Sequence, residues 1–143
     1  MSAPAATGVQ MSAVSLDRFM CRATHGPSGT VIQTEAPKDN GGTGGSFSPT
    51  DTVGAALVTC MLTTMQLVAS REGIEWGEAS ATVEKRMSPP PRRIAELVVE
   101  VTMPRGLTDP ALRAKMEEVA RTCPVARSLH PDVKAAPSFR YLD

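Results

Sequence analysis

SPTDTVGAALVTCMLTTMQLVASREG, running from Ser48 to Gly73, decides how this chain folds. It opens with helix-start chemistry: Ser48 as N-cap, Pro49 at the first helical position and Asp51 at the third, a close relative of the capping box. It closes at Gly73, the residue type best suited to the left-handed position that ends a helix. Between the caps, Val53, Leu57, Val58, Met61, Leu62, Met65, Leu67 and Val68 make a helix apolar almost all the way round. Such a helix belongs inside a structure, covered on most faces. Cys60 sits in the middle of it.

With 143 residues the chain is long enough to bury a core without staples. Aromatic residues make up only 3%, so that core must be aliphatic, with eight methionines as adaptable filler. Fifteen basic and fifteen acidic residues cancel, which argues against a nucleic-acid or membrane-surface footprint. Glycine, threonines and Gln66 interrupt the long helix, and its central apolar run is read as short of a membrane span. MSAPAATG shows no basic-then-apolar leader pattern. Three cysteines, an odd number, point to free thiols and a cytoplasmic setting.

Residues 1–10 read as a flexible N-terminal tail and 11–143 as a single domain. Met11 to Ala23 and Thr30 to Ala36 are strand-like around the turn HGPSG. The glycine-rich GGTGG (Gly41 to Gly45) is read as a flexible lid or rim, since no GKS or GKT follows to make a phosphate loop. Ala79 to Met87 and Ile94 to Met103 form a second hairpin, with Ala95, Leu97, Val99, Val101 and Met103 alternating toward one face. Asp109 and Pro110 start a second helix with the stripe Leu112, Met116, Val119 and Cys123. Pro124 breaks it at Cys123, PVARSL restarts a short turn, and Val133 to Leu142 is a last strand. The order ββ-α-ββ-α-α-β is an α+β fold with antiparallel sheets and a long buried central helix.

The thiols carry the chemistry. Cys60 alone reads first as a small core residue of an apolar helix. Cys123, at the start of a helical turn, would sit near backbone N–H groups that stabilise a thiolate. Cys21 reads as structural. The cysteines make no CxxC motif and no zinc pattern, and His25 and His130 read as turn residues, so no metal or cofactor is expected.

The segments FSPTD…AAL…C (Phe47 to Cys60), PRRI (Pro91 to Ile94) and CPVARSLHPDV (Cys123 to Val133) resemble the OsmC/Ohr family, the osmotically inducible and organic-hydroperoxide-resistance proteins. The resemblance implies an OsmC-like domain in an intertwined homodimer. It implies a cysteine-based peroxidase reducing organic hydroperoxides in the oxidative stress response, with Cys60 matching the peroxidatic cysteine and Cys123 the resolving one. An external dithiol, in the family sometimes a lipoylated protein, would return the thiols. The Ohr branch pairs a Glu after the cap proline with an Arg from the first hairpin; here Thr50 follows Pro49, and Asp51 comes one position later. Arg18, Arg22 and Arg127 are the substitutes on offer for the arginine, with Arg22 the weak first choice. Asp51 lies nine residues from Cys60, about 13 Å along one helix and on the opposite face. It therefore assists a cysteine across the dimer or simply caps its helix. Met61 and Met65 are expected to line an apolar substrate pocket. Two readings stay open beside the peroxidase: a module binding a small hydrophobic ligand in the dimer cleft, and a thiol redox sensor.

Overall fold

A computed structural model describes residues 8–142. The expected tail falls mostly on residues 1–7, outside the described residues. The chain resolves into two compact units whose boundary lies between Thr52 and Val53, and each is described by itself.

The first unit is a three-stranded antiparallel sheet, β1 (Met11–Ser15), β2 (Met20–His25) and β3 (Val31–Glu35), in that order. Where a single strand from Met11 to Ala23 is expected, the chain turns back on itself. Leu16 N–H donates to Met20 O at 2.8 Å, and Arg18 and Phe19 take φ of 57° and 60°. This left-handed turn contains neither glycine nor proline, so nothing in its composition announces it. HGPSG is a turn as expected, with His25 N–H donating to Thr30 O at 2.8 Å and Gly29 at φ 73°.

The glycine loop is organised by Glu35, which the sequence reading passes over. This carboxylate is only 7% exposed and accepts from Thr43 N–H at 2.6 Å and from the Thr43 hydroxyl. Those bonds, with further ones from the Gly45 and Gly44 amides, hold its pKa below the usual carboxylate range against the opposing effect of burial. The cradle that glycine-rich backbone makes for an anion is filled by the chain's own carboxylate. The loop is pinned, which corrects its reading as a flexible lid.

Helix α1 (Pro49–Arg71) starts with a reciprocal capping box. Asp51 N–H donates to Ser48 Oγ at 3.1 Å, and Ser48 N–H donates to Asp51 Oδ2 at 2.8 Å. It ends in a Schellman motif: Ile74 N–H reaches Ala69 O at 2.9 Å, Gly73 N–H reaches Ser70 O at 3.3 Å, and Gly73 takes φ 67°.

The second unit sets α1 against a mixed sheet of order β4 (Ser80–Met87), β5 (Ile94–Thr102) and β6 (Ser138–Arg140). β4 and β5 pair antiparallel as expected, but β6 runs parallel to β5, so this sheet is not wholly antiparallel. The last strand is also shorter than Val133 to Leu142; outside β6, Lys134 makes an isolated parallel bridge to Glu96. Buried Gly54, Leu57, Met61, Met65 and Ala69 form one stripe of α1. The core joins that stripe to Leu97, Val99, Val101 and Met103 of the β5 segment and to Met116 and Ala120 of α2 (Pro110–Arg121). By length and composition α1 could cross a membrane, contrary to the sequence expectation. Its buried residues form one stripe, packed against β5 and α2.

Tyr141 clips the C-terminus to α2: its hydroxyl donates to Glu117, and the Arg113 guanidinium lies 4.0 Å from its ring centroid.

A Cβ placed on Gly54 would meet Val83 and Leu97 at 3.6–3.7 Å, ordinary contact distances. Gly54→Ala is therefore expected to fold and to gain up to ~1 kcal/mol in urea unfolding. Gly54→Leu should lose ~1–3 kcal/mol by overpacking. A tolerated leucine would mean that this face of α1 is not packed as described.

Candidate active site

Cys60 is half-buried on α1, beside the core stripe rather than in it. Cys123 is fully buried and is the N-cap of α3 (Pro124–Ser128), at φ −62° and ψ 157°. The extended backbone is what Pro124 imposes on the residue before it. α2 ends at Arg121, where Thr122 N–H donates to Glu118 O at 3.1 Å, and Pro124 at once starts a new helix. Because Cys123 continues the buried α2 stripe, it is carried into the core that α1 also enters.

The Cys123 thiol is within hydrogen-bonding reach of Cys60, and both are free thiols. Burial pushes the Cys123 pKa up, and the hydrogen bond to Cys60 and the charge Cys60 would carry push it the same way. Backbone N–H groups of Ala126 and Val125 pull it down, as expected at the start of a helical turn, but burial outweighs them. This corrects the sequence expectation for Cys123: the donors arrive, yet the thiol keeps its proton.

Thr64 completes the surroundings of Cys60. Its hydroxyl donates to Cys60 O at 2.7 Å and lies 3.8 Å from Cys60 Sγ. The sequence reading does not single out Thr64. Its signal is the four-residue spacing from Cys60 on one helix, which places the two side chains on the same face.

The other expected site residues are placed as follows. Asp51 is engaged in the α1 capping box. Arg22 lies exposed on β2, and Arg18 stands in the β1–β2 turn. Arg127 is exposed and donates to Thr122 O at 2.8 Å, closing the end of α2. Cys21 is exposed on β2, opposite Ser15 and Thr34. Met61 and Met65 are fully buried in the core, so they do not line an open pocket as expected. Surface cavities of about 200–330 Å³ gather around Trp76, Gly77 and Arg105, and neither Cys60 nor Cys123 lines them. Among the described residues, no three or more His, Cys, Asp or Glu side chains gather where they could hold a metal ion.

An α+β fold carrying two adjacent free thiols, one half-exposed on a central helix and one buried at a Cys-Pro break, defines a class of dithiol proteins. The sequence model for OsmC-like proteins matches residues 42–137, and the chain belongs to that family. Among solved structures, a protein from Psychrobacter arcticus 273-4, provisionally described as osmotic stress induced and concerned with a detoxification response, is similar at 32% identity. The match spans 98% of this chain and 100% of that one, with a TM-score of 0.84. The organic hydroperoxide resistance protein OsmC of Legionella pneumophila matches at 21% identity over 95% and 98%, with a TM-score of 0.72. OhrB, an organic hydroperoxide resistance protein of Bacillus subtilis, matches at 13% identity over 94% and 98%, with a TM-score of 0.68. These last two show the shared fold. None of the curated proteins matches the chain.

A raised pKa has a consequence for stability. The folded chain holds the Cys123 proton more tightly than the unfolded chain does. The resulting stability is fully present below the ordinary thiol value of 9.0 and is lost as pH rises beyond it through the raised folded-state value. Tyr141, also raised by burial and by Glu117, acts with the same sign above 10.0. Denaturant midpoints measured from pH 7 to 10.5 should therefore fall, and the fall should be shallower in Cys123→Ala. Equal slopes would remove the buried thiol from the account.

Proposed function

We propose that this protein is a thiol-dependent peroxidase that reduces organic hydroperoxides to alcohols, in oxidative stress defence. The observation that carries the reading is the asymmetry of the thiol pair. Cys60 is partly open, while Cys123 is buried, protonated and in hydrogen-bonding reach. In the cycle, Cys60 thiolate attacks the terminal peroxide oxygen, the O–O bond breaks, and the alkoxide leaves as an alcohol after taking a proton. The Cys60 sulfenic acid then condenses with Cys123, releasing water and forming a disulfide. An external dithiol reduces that disulfide by exchange and is itself oxidised. A lipoylated protein is one such reductant. The residues need no metal or cofactor for any of these steps.

The active form is a homodimer. Val53, Val58, Leu62 and Val68 of α1 are only partly covered, and Leu67 remains 47% exposed. On the sheet of the first unit, Met11, Val14, Val31 and Ile32 are at least half exposed. A second copy that covers such faces accounts for an all-round apolar helix in so small a chain. Within that dimer, Asp51 and Arg22 would act on the cysteine of the other subunit, because Asp51 is on the wrong face of α1 to reach the Cys60 of its own. The three free thiols suit a reducing, cytoplasmic setting.

One equivalent of cumene hydroperoxide, followed by intact-mass spectrometry and thiol counting, tests the reading. The expected result is loss of two hydrogens with a bridge mapped to Cys60–Cys123. In Cys123→Ser, a dimedone-reactive sulfenic acid should accumulate on Cys60. Three thiols that stay free, oxidising no faster than glutathione, would overturn the assignment.

A further inference from the structure

Thr64 sits one helical turn beyond Cys60, with its hydroxyl oxygen 3.8 Å from the sulfur. In the resting thiol state the hydroxyl donates to Cys60 O at 2.7 Å and offers a lone pair toward the S–H. That carbonyl also accepts the Thr64 amide N–H through the ordinary ladder of α1, so it keeps a partner if the hydroxyl leaves. We propose that Thr64 is a thiolate switch: when Cys60 loses its proton, the Thr64 hydroxyl rotates from Cys60 O to Cys60 Sγ and donates to the anion. This deepens the peroxidase reading and rests on Cys60 being the nucleophile.

The physical case has three parts. The Cys123 thiol is one donor within reach of Cys60, and a half-buried thiolate gains from a second. The rotation concerns only the hydroxyl hydrogen, leaving Oγ1 and the backbone in place. A hydrogen bond to a charged acceptor is worth more than the neutral bond given up. The chain supplies its own control. Thr59 makes the same kind of back-bond, to Ala55 O at 2.8 Å, but is exposed, and its hydroxyl's second neighbour is Ala56 O at 3.3 Å. Geometry of this type is common for threonine in helices; the neighbouring thiol gives it a chemical use.

Each step balances without further reactants. Cys60 S–H gives its proton to solvent base, and the Thr64 hydroxyl changes acceptor without being ionised. After attack on the peroxide, the hydroxyl is free to return to Cys60 O.

The test is the pH dependence of Cys60 alkylation by iodoacetamide, read at that residue by peptide mapping in the full chain. Thr64→Val, isosteric but without the hydroxyl, should react about tenfold more slowly at pH 7, as expected for loss of one hydrogen bond to a charged group. Its profile should move to higher pH. Thr64→Ser should restore the wild-type profile, and Thr59→Val should leave it unchanged. An unchanged profile in Thr64→Val overturns the switch, and so does an equal shift in Thr59→Val. Circular dichroism melts identify a valine variant that has merely unfolded, and Thr64→Ser then decides: a wild-type profile supports the switch, and one shifted to higher pH overturns it. Alkylation involves no peroxide, so the outcome separates the two ideas. A wild type that ignores hydroperoxide while Thr64→Val still shifts would end the peroxidase reading and keep the thiolate switch.

Discussion

Burial of one stripe of α1 is the constraint on which the second unit depends. Gly54, Leu57, Met61, Met65 and Ala69 recur at helical spacing and meet the inward residues of β5 and the Met116 and Ala120 face of α2. Removing ten or so aliphatic side chains from water supplies most of the driving force in a chain with few aromatics. Because the stripe fixes the rotation of α1, it also fixes where Cys60 points: to the edge of the core, half open. The same core draws in Cys123 at the end of α2. Adjacency of the two thiols is thus a consequence of hydrophobic packing, with no dedicated linkage between them.

That arrangement sets burial against ionisation. A cysteine at a helix start collects N–H donors, and Cys123 does collect them from Ala126 and Val125. Its complete burial still keeps it neutral, because desolvation of a sulfur anion costs more than two partial charges return. The two sulfurs therefore differ: burial favours the proton on Cys123, while Cys60 is half open to solvent.

The elements that the sequence announces are those marked by local chemistry. Ser48, Pro49 and Asp51 open α1, Gly73 closes it, Asp109 caps α2 and Pro124 breaks the chain at Cys123, all where the residue types require. The β4–β5 hairpin follows from strict alternation. Elements without such marks are missed. The β1–β2 turn uses Arg18 and Phe19 at positive φ, residues that rarely take that geometry. The parallel pairing of β6 depends on where α2 and α3 deliver the chain, and its short length leaves little periodicity to read. Glu35 looks like any strand-end carboxylate until the loop closes over it.

By itself, the sequence determined the α+β class, the bounds of the central helix and the break at Cys123. Each rests on neighbours a few residues apart, where backbone preference and side-chain capping act directly. Only the tertiary structure decided that Cys60 and Cys123 lie within hydrogen-bonding reach, that burial raises the pKa of Cys123, that Met61 and Met65 are core, and that Thr64 stands beside Cys60. Contact between distant segments and the loss of water around a group are properties of the packed chain, and it is these that set the proton affinity of a thiol.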